Sequence, residues 1–290
     1  MTSSGSRLVS LGLRGSGKTS YLAALWHLVE AGELPTSLTV ATLQPDRTYL
    51  NRIRDAWLSF QEVGRTSLRG EETVSLVLRE RLSGAAIDIT LPDLSGESFR
   101  LQWANRKVAR SYAEYVRECR GVLLFVHPGD IRKGLLIDHD AEVKANDDAG
   151  GMGQARPWSP ATAPTQVQLV ELLQFVKWLR ASESLLHVAV IVSAWDVIRE
   201  TLLPSAWIEL RLPLLAQFLR ANSDDMPFRI FGVSALGGDL KKDVSDLESK
   251  SLPSHRIRVI ENDLEYHHDL SAPVRFLLGI DTENVATPKV

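Results

Sequence analysis

The chain has 290 residues, 44% of them hydrophobic, and a formal net charge of −3. That apolar content supplies a full core and excludes wholesale disorder, while the charge gives neither the basic footprint of a nucleic-acid binder nor a polybasic membrane tether. The single cysteine, Cys119, has no internal disulfide partner, and no apolar run approaches the ~20 residues of a membrane span. The segment Met1–Ser6 lacks the charged and apolar regions of a signal peptide. The expectation is therefore a protein of the reducing cytoplasm.

In chain order, Arg7–Leu11 reads as a buried strand and Ser20–Val29 as an amphipathic helix that stops near Ala31 and Gly32. Between them stands Gly12-Leu13-Arg14-Gly15-Ser16-Gly17-Lys18-Thr19, which fits the phosphate-binding pattern G-x-x-x-x-G-K-[ST] at every fixed position. Gly12, Gly15 and Gly17 free the backbone to turn successive N–H groups toward phosphate oxygens. Lys18 supplies a point charge for the β- and γ-phosphates, Thr19 a hydroxyl for Mg²⁺, and the helix from about Lys18 its positive end.

Ser37–Leu43 has strand character, and a helix opening at Pro45-Asp46 sets Leu50, Ile53, Trp57 and Phe60 on one face before closing near Gly64. Residues 32–70 thus form a large insertion ahead of the next confident strand. Glu72–Glu80 alternates as a strand, and Ser83-Gly84 turns the chain into Ala86–Leu91, an antiparallel partner. Arg106–Arg120 reads as a helix with Cys119 at its end as a buried, inert thiol, and Gly121–Val126 as a central parallel strand. Residues 128–164, rich in glycine and proline with an acidic run at Asp138–Asp148, read as a flexible insertion. A helix over Thr165–Ala181 and a strand over His187–Val192 follow. Pro204–Ala221 is helical in two pieces broken at Pro213. Phe228–Val233 is expected to be the last strand. Residues 241–258 are charged and weakly patterned, and Val274–Leu278 closes the chain as a short helix. Strands alternating with helices predict one domain over residues 1–290, a three-layer α/β/α sandwich on a mostly parallel sheet.

Ligands of open α/β sheets bind at the carboxyl ends of the strands, and polar residues stand at each. After Leu91 comes Pro92-Asp93-Leu94-Ser95-Gly96-Glu97, where Asp93 can hold Mg²⁺ through a water and Gly96 can offer an N–H to a γ-phosphate. After Val192 comes Ser193-Ala194-Trp195-Asp196. A carboxylate there can accept both the N1–H and the N2–H of guanine, or it can cap a helix N-terminus. After Val233 comes Ser234-Ala235-Leu236, whose backbone N–H groups near Ala235 suit the guanine oxygen. His267-His268 lack a third residue at ligand spacing and read as solvated surface.

Together these segments, from about Arg7 to Leu236, resemble the Ras-like, translation-factor-related (TRAFAC) class of P-loop GTPases. Gly12–Thr19 matches that class's phosphate loop and Asp93–Gly96 its D-x-x-G switch. Ser193–Asp196 matches [NT]-K-x-D at the aspartate alone, and Ser234–Leu236 matches S-A-K at two of three positions. The long insertion before the second strand and the closing helix with Pro273–Leu278 are similar to the bacterial double-GTPase families of prokaryotic conflict (defence) systems, in which one GTPase is encoded beside another.

The resemblance implies GTP and GDP as ligands with Mg²⁺ as cofactor. It implies phosphate contacts from Gly12 to Ser20, Arg14, Gly15, Ser16 and Gly17 included, with Lys18 on the β/γ-phosphates. Thr19, Asp93 and a first-switch threonine would serve the metal. Thr66 is the choice for that threonine because it lies closest before the second strand, with Thr36, Thr39 and Thr42 as alternatives. Glu97 stands where many members have a water-orienting glutamine, which implies slow hydrolysis. Arg65 or Arg69 is placed for an arginine finger in cis or for ordinary surface exposure. Trp195 is expected either to stack on the base, where the lysine of the motif is missing, or to sit in the core, and Asp196, Ser234 and Ala235 to read guanine. A protein partner (a second GTPase, an activator or an effector) is implied as well. An ATPase without guanine selection and a non-hydrolysing interaction module remain the alternatives.

Overall fold

A computed structural model describes residues 6–41, 47–61, 74–81, 83–91, 102–134, 160, 163–180, 184–240 and 242–280. Among the described residues, eight strands form one sheet in the order β2-β3-β4-β1-β5-β6-β7-β8. They are β1 Ser6–Gly12, β2 Leu38–Val40, β3 Val74–Glu80, β4 Ala86–Leu91, β5 Cys119–Val126, β6 His187–Ser193, β7 Phe228–Ser234 and β8 Arg258–Ile260. The five central strands, β4-β1-β5-β6-β7, are parallel. β2, β3 and β8 add antiparallel edges, and β3 with β4 forms the expected hairpin.

The side-chain alternation of the strands builds two cores, one on each face of the sheet. Leu8, Leu123, Phe125, Ile191 and Phe231 face α1 (Lys18–Ala31), α2 (Thr48–Leu58) and the closing helix Ala272–Leu278. Val9, Leu11, Val122, Leu124, Val190 and Val192 face α3 (Arg110–Arg117), α4 (Thr165–Leu179), α5 (Pro204–Arg211) and α6 (Pro213–Ala221). This is the three-layer α/β/α arrangement, and Pro213 divides α5 from α6 as the sequence requires.

Several expectations change. α1 is not amphipathic: all nine residues from Tyr21 to Val29 are buried. The reason is α2, which lies over its outer side with Leu50, Ile53 and Trp57 buried, while Trp26 Nε1 donates to Asn51 Oδ1 at 3.1 Å. The described part of the 32–70 insertion therefore adds a second course of helix over α1. α2 ends at Leu58, and Phe60 leaves the helical path with φ 56°.

Cys119 does not close a helix. α3 stops at Arg117, and Cys119 opens β5 in register with Arg7. Burial pushes its thiol up to about 11, so it is inert. β7 is not the last strand, since β8 pairs with it at the end of the weakly patterned region. His268 is not solvated surface either: its Nδ1 lies 2.6 Å from the Ile257 carbonyl oxygen and its ring lies 5.1 Å from His255.

Candidate functional site

The carboxyl ends of β1, β5, β6 and β7 converge on a cavity of about 430 Å³. One wall is the phosphate-binding loop. β1 ends at Gly12, flanked by β4 and β5, which is where strand order switches direction and where open sheets bind ligands. Gly17 precedes α1 with φ 87°, and a Cβ there would come within 2.8 Å of the Ser193 Cβ, so only glycine lets the loop seat against β6. Gly15, Gly17 and Ser20 line the cavity, while Ser16 is buried and Arg14 is exposed. Thr19 stands half-buried in the first turn of α1.

Lys18 donates from Nζ to the carbonyl oxygens of Gly12 at 2.7 Å and Leu13 at 2.9 Å, and to Ser16 Oγ at 3.0 Å. Burial lowers its ammonium to about 7. Phosphate oxygens beside Nζ would favour the charged form, so binding of a triphosphate is expected to take up a proton above pH 7. Affinity should therefore weaken as pH rises from about 7 toward the ordinary lysine range. Calorimetry at pH 8 in two buffers of different ionisation enthalpy reads the uptake, expected to approach one proton per nucleotide, whereas zero uptake would mean that Lys18 is already charged.

The opposite wall is built at the ends of β6 and β7. Ala194, with φ 46°, swings the chain into a short 3₁₀ turn over Trp195–Val197. Asp196 lies inside that turn, with Ala194 at the N-cap position and no side-chain capping bond, so the helix-capping alternative does not hold. Its carboxylate, exposed at the cavity, accepts a hydrogen bond from Ser234 Oγ. Ser234 Oγ in turn accepts from the Gly237 N–H at 3.0 Å. Ala235 lines the cavity, and its carbonyl accepts from Trp57 Nε1 at 2.9 Å. The Arg256 guanidinium covers the same indole at 4.1 Å. The inserted helix α2 thus holds the 234–236 loop in place, a role that the apolar spacing of Trp57 alone did not reveal.

Trp195 does not face the cavity. Its ring lies against Gly232, where a Cβ would come within 2.5 Å, and meets Trp207 edge-on at 6.4 Å. The indole is spent on core packing, the second of its two expected roles. Arg65, Thr66, Asp93, Gly96 and Glu97 lie outside the described residues, as do Arg69, Thr42 and the run 138–148. Thr36 and Thr39 sit around the β2 edge, the first donating to Ser271 Oγ at 3.1 Å and the second to the Arg79 carbonyl at 3.2 Å. Among the cavity residues that sequence reasoning missed are Tyr21, His127 and Asp239. Tyr21 is tied to the Leu270 carbonyl at 2.9 Å. Among the described residues there is no cluster of three metal-ligating side chains and no helix long and apolar enough to cross a membrane.

Several solved structures match the chain at low identity. The bacterial selenocysteine-specific elongation factor EF-Sec matches with 12% identity over 84% of this chain and 27% of its own, at a TM-score of 0.36. The S. cerevisiae Ski7 GTPase-like domain bound to GTP matches with 13% identity over 80% of this chain and 43% of its own, at 0.38. The signal recognition particle receptor SRb-GTP/SRX complex from Chaetomium thermophilum matches with 13% identity, over 81% of this chain and 93% of its own, at 0.36. The chain thus spans less than half the length of the first two. No curated protein matches it. The family model described as Double-GTPase 1 matches residues 9–277, from the second half of β1 to the closing helix. On that match, over nearly the whole chain, the protein belongs to the Double-GTPase 1 family.

Proposed function

We propose that this chain is a GTP-binding switch, acting as a single domain, that hydrolyses GTP slowly with Mg²⁺ and thereby regulates a protein partner in a bacterial conflict or signalling system. The observation that carries the reading is one cavity with a phosphate-binding loop on one wall and an exposed, hydrogen-bonded carboxylate on the other. Membership of a GTPase family supports it. In this reading the inward N–H groups of Gly15–Lys18 cradle the phosphates and Lys18 exchanges loop carbonyls for the β/γ-phosphate oxygens. Asp196, steadied by Ser234, accepts the two guanine donors. The ion would be held by the Thr19 hydroxyl with Asp93 and Thr66, and it supplies charge neutralisation of the β/γ-phosphates. The described residues fit that role in part, since the Thr19 oxygen stands at the loop end of α1. Gly96 would meet the γ-phosphate, with Glu97 or Arg65 beside the attacking water.

The partner reading follows from the double-GTPase membership, with a second GTPase, an activating protein or an effector as the class. Single-turnover hydrolysis of radiolabelled GTP tests the reading. Expected is a rate on the order of 10⁻⁴ to 10⁻² s⁻¹, as for unassisted switches, abolished by EDTA. Stoichiometric nucleotide that stays unhydrolysed over days would favour the non-hydrolysing module instead.

A further inference from the structure

The carboxyl end of β5 contributes a side chain to the cavity that belongs to neither wall's motif. His127 directly follows Val126, and its half-buried side chain lines the cavity with Gly15, Gly17, Ala194 and Asp196. Its orientation is set locally. The Gly129 N–H donates to Nδ1 at 3.0 Å, which makes His127 the cap of the 3₁₀ turn Pro128–Asp130. A neutral imidazole that accepts at Nδ1 carries its proton on Nε2, so Nε2 is a donor. A Cβ on Gly129 would lie 3.2 Å from the ring's Cε1, so the turn closes tightly around the imidazole.

This turn packs against the turn that carries Asp196. Ser193, which ends β6, and Ala194, which follows it on the way to Asp196, offer a sugar little. Ala194 presents a methyl group, and Ser193 Oγ donates to the Val126 carbonyl at 3.2 Å. A nucleotide whose phosphates lie on Gly15–Lys18 and whose base meets Asp196 must pass its ribose between those two walls, along the side that His127 borders.

We infer that His127 is a nucleoside-binding residue, its imidazole covering the ribose segment of the bound nucleotide and donating Nε2–H to a ribose oxygen. The inference rests on the GTP-binding reading and deepens it. The test compares two probes with Mg²⁺, GTP and inorganic tripolyphosphate, which fills the phosphate loop without a nucleoside. His127→Ala is expected to weaken GTP about 10-fold and to leave tripolyphosphate within about 2-fold. His127→Gln, which keeps an N–H donor, should recover most of the loss. In the unmutated protein, the imidazole ¹⁵N resonances of His127 should shift with GTP and stay still with tripolyphosphate, which keeps the test open if the alanine variant folds poorly. Equal loss for both probes, or unchanged GTP affinity and still resonances, would overturn the inference while leaving GTP binding intact. An unmutated protein that binds tripolyphosphate but not GTP would overturn the GTP reading and this inference with it.

Discussion

Replacing Lys18 by alanine is expected to lower GTP affinity by on the order of 10²–10⁴-fold without unfolding the protein. The loss follows from the contacts proposed for Lys18: an ammonium beside the β- and γ-phosphates makes charge-assisted hydrogen bonds worth about 1.5–3 kcal/mol each. Stability should survive for a separate reason. In the free protein Lys18 is half-buried and desolvation lowers its ammonium to about 7, so its charged form is disfavoured there. Among its contacts with the fold are hydrogen bonds to the Gly12 and Leu13 carbonyls and to Ser16. Lys18→Met keeps the apolar stem and controls for the cavity that alanine would leave. Calorimetric titration with GTP beside a thermal melt checks both halves. Retained GTP affinity in either variant would contradict the phosphate-loop mechanism.

The second large effect concerns the base. Asp196→Ala is expected to cost GTP about 100-fold or more and to leave ATP unchanged, because adenine has no pair of donors for that carboxylate to accept. The side chain is exposed and caps no helix, so its removal should barely move the melting temperature. Ser234 would lose its acceptor, and its hydroxyl still holds the Gly237 N–H. Ser234→Ala should thus give a smaller loss than Asp196→Ala, through a less well-held carboxylate. Parallel GTP and ATP titrations of both variants measure this. Equal loss for the two nucleotides would move the protein to the ATPase alternative.

Most of the architecture was legible because strong local signals mark it. Gly32 ends α1 in the left-handed region, Pro213 splits α5 from α6, and the continuous apolar run of β5 sits at the sheet centre. What escaped depends on partners distant in sequence. α1 looks amphipathic until α2 is laid over it, and the burial of His27 and Trp26 follows from that tertiary contact. β8 is three residues long and exists through its pairing with β7, so no periodicity announces it. Cys119 was misplaced because the apolar face of α3 runs straight into β5, and the break falls at Glu118 without glycine or proline.

The site divides in the same way. The phosphate loop was readable because its chemistry is contiguous, from Gly12 to Thr19. Asp196 was readable as a carboxylate after a strand, but its role was not, since a cap and a base reader share that position. The backbone of Ala194 removes the cap, because it sets Asp196 inside the turn and not at its start. Trp195 could stack or pack, and Gly232, 37 residues on, determines that it packs. The link from Trp57 to the Ala235 carbonyl spans 178 residues and has no local signature at all.

In the proposed switch, one cavity takes the triphosphate and selects guanine. A competition titration of the nucleotide-free, unmutated protein with GTP against ATP, Mg²⁺ present, tests it most directly. Expected is tight, saturable binding of GTP that a large excess of ATP does not displace. Equal displacement by the two nucleotides, or no binding of either, would contradict it.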